Sequence, residues 1–121
     1  MKLRRVGFFQ ELPHGDPSGP RLIDHVNNIP QSDEIKISSY LRKGLLLIGC
    51  PGVVDDAVDS SVGVIGSADI LTDGSWSWPA DLPYYTEKYH LTLPGDFVRH
   101  VRERSFRPPV DGEIDLHELE F

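Results

Sequence analysis

The sequence predicts an α+β fold: an antiparallel sheet of about four to six strands with two or three helices packed on it. Three observations lead there. Thr72-Asp73-Gly74 stands between apolar arms and reads as a β-hairpin turn. Two segments, near 33–43 and 82–89, combine helix start signals with one apolar face each. The elements also lack the regular strand–helix–strand alternation of a doubly wound parallel sheet.

Taken in order, Leu3 to Leu12 mixes apolar and charged residues around Phe8-Phe9, which predicts a first strand. His14-Gly-Asp-Pro-Ser-Gly-Pro20 is dense in turn formers and predicts a loop. Leu22, Ile23 and Val26 have helical spacing, so one or two helical turns are expected before Asn27-Asn28-Ile29-Pro30 stops them. The next segment follows helix grammar closely. Ser32 can cap it, Asp33 and Glu34 lie in the first turn, Ile37, Tyr40 and Leu41 share one face, and Arg42 and Lys43 precede Gly44 at C′. Leu45 to Gly49 is a continuous apolar run, suited to a central strand buried on both faces, and Cys50-Pro51-Gly52 ends it.

Val53 to Ser61 fits either a short helix or a loop carrying Asp55, Asp56 and Asp59, and Val62 to Ser67 reads as a strand. The hairpin arms are Ala68 to Leu71 and Ser75 to Trp78, joined by residues of which Asp and Gly tolerate positive φ. Pro79 ends the second arm. Asp81 is a good N-cap, and Pro83 is tolerated in the first turn of a helix running to about Tyr89, with Leu82, Tyr85 and Tyr89 on one stripe. Leu93-Pro94-Gly95-Asp96 opens a third helix with Phe97, Val98 and Val101 inward and Arg99, Arg102, Glu103 and Arg104 outward; Pro108-Pro109 blocks its continuation. Ile114, Leu116, Leu119 and Phe121 break phase near His117-Glu118 and read as an edge strand with a bulge.

The 121 residues suit one globular domain, 1–121, and 39% hydrophobic with 26% charged residues is an ordinary globular composition. A lone cysteine, Cys50, leaves no internal disulfide to form and suits a reducing compartment. Val6 to Leu12, after a basic start, is too short for a signal-peptide core, and Leu45 to Ile48 is too short to span a bilayer. A cytoplasmic protein without a membrane partner is therefore expected. The net charge of −7 argues against nucleic acid and fits a basic protein partner.

No catalytic signature accompanies these elements. Cys50 follows a strand but has no local signature around it, so a buried structural thiol is expected. His14, His25, His90, His100 and His117 show no HxxxH, HxH or CxxC spacing, so neither a metal nor another cofactor is expected. The densest chemistry lies from Ile70 to His90, which holds both tryptophans and Tyr84, Tyr85 and Tyr89. Trp76 and Trp78, two apart on a strand, point to one face, where they either roof the core or meet a partner.

Gly7-Phe-Phe-Gln-Glu-Leu-Pro-His-Gly-Asp16, Leu71-Thr-Asp-Gly-Ser-Trp-Ser-Trp-Pro-Ala-Asp-Leu82 and Tyr84-Tyr85 through Leu93-Pro94 together resemble a group of small, uncharacterised bacterial single-domain proteins. The block from Thr72 through Tyr84, followed by Leu-Pro and a helix, is also similar to blocks in immunity proteins of bacterial toxin systems. This second likeness implies a small acidic protein that binds and blocks a cognate toxin; it assigns no functional residue.

The leading expectation is thus a non-enzymatic protein-binding domain of immunity type. Asp55, Asp56 and Asp59 would supply charge complementarity, with Trp76 and Tyr84 as anchors wherever their side chains are exposed. One alternative is a small enzyme or ligand-binding domain with a pocket lined by Trp76, Trp78 and His14. Another is a subunit of a homo-oligomer or larger assembly.

Overall fold

The computed structural model describes residues 2–121, and the hairpin read from Thr72-Asp73-Gly74 lies at its centre. In chain order the elements are β1 (Arg4–Arg5), a 3-10 turn (Leu22–His25), α1 (Glu34–Arg42), β2 (Leu45–Ile48), β3 (Val53–Asp55), β4 (Val64–Ser67), β5 (Ile70–Thr72), β6 (Trp76–Pro79), α2 (Leu82–Lys88), α3 (Gly95–Glu103) and a second 3-10 turn (Leu116–Glu118). Four strands form a sheet in the order β1-β6-β5-β2, and β3 with β4 makes a separate two-stranded hairpin. The α+β expectation holds, with one departure: β1 runs parallel to β6 while the other pairings are antiparallel. More than half of the chain separates β1 from β6, so no tight turn dictates their relative direction.

The β5–β6 turn is held by its own side chains. Thr72 Oγ1 donates to the Trp76 carbonyl at 2.7 Å and accepts the Gly74 N–H at 3.0 Å. Asp73 Oδ1 accepts the N–H groups of Ser75 and Trp76. Only Gly74 adopts positive φ, at 93°; the Asp73 carboxylate, not its backbone conformation, is what the turn uses.

Trp76 and Trp78 are core residues, 5% and 0% exposed. The Phe97 ring of α3 meets both edge-on, at centroid distances of 5.1 and 5.9 Å. Trp78 Nε1 donates to the Leu41 carbonyl at 3.0 Å, adding to the Gly44 N–H that this carbonyl accepts at the end of α1 at 3.3 Å. Ile37, Tyr40 and Leu41 of α1, Leu82 and Tyr85 of α2, and Val101 of α3 close the core around these rings. Gly44 does sit at C′, but its φ is not left-handed. Its role is close approach, because a Cβ there would come within 2.6 Å of Trp78 Cζ2.

Several local expectations give way to packing. Only Arg4–Arg5 of the 3–12 segment is strand; Val6, Phe8, Phe9 and Leu12 are buried from a chain folded back on itself, with Gln10 N–H bonded to the Pro20 carbonyl and Asp16 N–H to the Phe8 carbonyl. Gly7, at φ 83°, makes that turn possible. Ser32 does not cap α1: Asp33 holds the N-cap position at φ 59° and gives its carboxylate to Arg102, while Glu34 reaches back to the Gln31 N–H. β2 is an edge strand, not a central one, and Leu46 stands 53% exposed. The C-terminal segment is a 3-10 turn, with one parallel bridge from Lys2 to Glu120, where a bulged strand was expected. No helix among the described residues is long and apolar enough to cross a membrane.

Candidate functional site

Of the two readings for 53–61, neither holds throughout. Val53–Asp55 is strand β3, and a tight loop from Asp56 to Gly63 returns it to β4. Val54 points inward and is buried, and Ile65 packs against the core. Val53 and Val64 are 66% and 61% exposed, and Val58 and Val62, on the loop, are 42% and 41% exposed. Asp55 and Asp59 carry exposed carboxylates on the same hairpin. An apolar surface rimmed by charge on one small projecting element is a departure from the usual scatter of single exposed apolar residues.

The hairpin is fastened to α2 by polar bonds. Asp56, offered by the sequence as a surface charge, is instead buried. Its Oδ1 accepts the N–H groups of Val58 and Asp59 at 2.7 and 2.9 Å. Its Oδ2 accepts the hydroxyls of Tyr84 and Tyr89 at 2.7 and 2.6 Å, and Lys88 Nζ lies 3.6 Å away. Burial alone would push this carboxyl's pKa up; the bonds from Tyr89, Tyr84 and the two backbone N–H groups outweigh it and bring the value down to about 2. Burial, together with the facing carboxylate, holds the Tyr89 hydroxyl above its ordinary pKa, so it stays a donor. The neighbouring Tyr85 hydroxyl accepts the Ala57 N–H at 2.9 Å and donates to the Asp55 carbonyl at 3.3 Å. The three tyrosine rings pack on one another, with Lys88 over the faces of Tyr84 and Tyr89.

The proposed site residues therefore divide. Asp55 and Asp59 are exposed on the hairpin, and Asp59 is further tied to the Ser61 N–H and hydroxyl. Asp56 and Tyr84 are brought together, but they bind each other. Trp76 is withdrawn as an anchor because the core needs its ring against Phe97. The pocket expected from Trp76, Trp78 and His14 does not form: both indoles are packed into the core, and His14 lines a cleft with β3 instead. Cys50 is half-buried, not fully buried, and its N–H is held by Asp69 Oδ1 at 2.8 Å.

Three histidines each hold a buried carboxylate from a distant segment. His14 Nε2 lies 2.9 Å from Asp81 Oδ1, His90 Nδ1 lies 3.0 Å from Glu34, and His100 Nε2 lies 2.8 Å from Asp73 Oδ2. Asp81 stands at the N-cap of α2 as read, yet makes no capping bond: its backbone is already helical, one carboxylate oxygen meets His14 and the other has no partner among the described residues. Asp73 also accepts the Tyr40 hydroxyl at 2.5 Å, so one turn residue joins the sheet, α1 and α3. Sequence reasoning missed Asp73 and Asp56 as hubs. The available signal was an Asp followed two or three residues later by turn-forming backbone N–H donors. Among the described residues no group of three or more His, Cys, Asp or Glu is arranged to hold a metal ion.

Fold and surface together define a small α+β domain that presents a pinned hairpin with valines and carboxylates outward. Comparison with protein-family models, curated proteins and solved structures found no match to this chain.

Proposed function

We propose that this chain is a non-enzymatic protein-binding domain, in its most concrete form an immunity-type inhibitor that binds a basic toxin domain. The β3–β4 hairpin is the face it offers. The observation that carries this reading is the combination of four exposed valines and two exposed carboxylates on an element whose backbone is already fixed by Asp56 and Tyr85. A pre-ordered binding element loses little conformational entropy on association, and its carboxylates favour a basic surface in keeping with the net charge of −7. The immunity-type form rests additionally on the likeness of the Thr72–Tyr84 block to such proteins.

The test is co-expression with the product of the adjacent gene, followed by affinity measurement and a growth assay. The wild-type chain is expected to form a stable complex and to restore growth, and Asp55→Lys with Asp59→Lys to weaken the complex at least tenfold. No complex, or a complex indifferent to those charges, overturns the reading.

Self-association has one observation in its favour. The outer edge of β2 has no strand beside it among the described residues, and Leu46 is exposed there. Sedimentation velocity as a clean monomer removes that alternative.

A further inference from the structure

At the root of the hairpin, where β3 passes the turn of residues 11–14, lies a cleft of about 450 Å³. Its walls are the apolar stems of Pro13, Val53 and Ala68, and its polar groups come from Glu11, His14 and Asp55. We propose that this cleft is the socket for one arginine side chain of a protein partner. The inference rests on the reading of the hairpin as the binding face, and it names the chemistry recognised there.

Four features point to a guanidinium. Asp55 is exposed at the cleft and its carboxylate makes no hydrogen bond or ion pair among the described residues, so that group is available. Glu11 is fixed by accepting the N–H groups of Leu22 and Ile23 at 2.9 and 3.1 Å. A carboxylate has lone pairs beyond those two bonds. His14 Nε2 lies 2.9 Å from a carboxylate oxygen of the fully buried Asp81, and its Nδ1 is buried and has no partner among the described residues; in the ring form that carries its proton on Nε2 alone, Nδ1 is an acceptor. The fourth feature is the wall of short apolar side chains, which suits the methylene stem of a long cation.

Asp56 also lines the cleft, but its oxygens are taken by tyrosines and backbone, so the charge offered to a ligand comes from Asp55 and Glu11. A planar guanidinium, with five donors fixed in direction and weaker hydration than an ammonium, fits separated acceptors better than lysine does.

The experiment titrates the ¹⁵N-labelled full chain with N-acetyl-arginine methylamide, and in parallel with the citrulline and lysine counterparts. The expected result is saturable movement of the backbone amides of His14, Asp55, Ala57 and Ala68, with a shift of the His14 Nδ1 resonance. Lysine should bind more weakly and citrulline should leave those signals in place. Asp55→Asn, a change at an unpartnered exposed group, should weaken arginine binding at least threefold without altering the fold. Equal response to citrulline, tighter binding of lysine, non-saturating shifts spread over other carboxylates, or indifference to Asp55→Asn would each overturn the proposal. Failure here alongside a hairpin-dependent complex in co-expression removes the socket alone. Arginine binding in the cleft with no such complex removes the interface reading alone.

Discussion

Around Trp78 the chain packs large rings on one another, whereas the β3–β4 hairpin leaves four valines in solvent and is held by polar bonds from Asp56 and Tyr85. Hydrophobic packing is non-directional and depends on volume, so the body tolerates no missing ring. A carboxylate with several donors fixes orientation, so the hairpin can be presented without being buried. On the proposed reading, stability and partner binding reside in different residues, and substitutions should separate them.

The sharpest test of the body is Trp78→Ala. It removes a fully buried ring that touches Tyr40 and Phe97 and takes one of its donors from the Leu41 carbonyl. A loss of about 3–5 kcal/mol in denaturant unfolding is expected. Asp56→Ala is the corresponding test of the hairpin. It leaves two tyrosine hydroxyls and two N–H groups without their acceptor, a cost of about 3 kcal/mol concentrated in one element. Hydrogen exchange should quicken at least tenfold across β3 and β4 while the β5–β6 amides keep their protection. Equal quickening of both would dissolve the distinction.

The same carboxylate predicts an acid dependence. Its folded pKa of about 2 lies below the ordinary 3.8, so its contribution is complete above that ordinary value and is lost as pH falls through about 2. Its full size is about 2 kcal/mol. Asp56→Asn should flatten stability between pH 4 and pH 2, measured by thermal melts across that range. Gly44→Ala returns to the body on a smaller scale. The added Cβ must displace the Trp78 ring, at a cost of about 1–2 kcal/mol. Smallest in stability is Val53→Ser with Val64→Ser, below about 1 kcal/mol because both side chains are exposed. These two changes should nevertheless weaken partner binding at least tenfold, and unchanged affinity would detach the valines from recognition.

What could be read from sequence follows how local each feature is. The β5–β6 turn, α1, α2 and α3 were legible because turn residues and helical spacing act within a few positions. Ser32 failed as a cap because Asp33 holds the N-cap position in a left-handed conformation, and Asp81 failed as a capping side chain because its backbone is already helical. The apolar run of β2 suggested a central strand, yet the order of strands left it at the edge, which periodicity alone does not determine. The exposure of Asp55 and Asp59 was legible because charged side chains favour water; the burial of Asp56 beside them was not.

By itself the sequence determined the β5–β6 turn, the three helices, the acidic balance and the aromatic cluster between Ile70 and His90, since each depends on neighbouring residues or on simple sums. Tertiary structure decided which of those aromatic rings became core and which became fasteners. Trp76 and Trp78 went inward against Phe97, Tyr84 and Tyr89 took hold of the hairpin by their hydroxyls, and Tyr85 did both, its ring in the core and its hydroxyl on the hairpin. The physical reason is that an indole's value lies in buried area and a phenol's lies partly in its hydroxyl, and only the folded chain brings Asp56 within reach of α2.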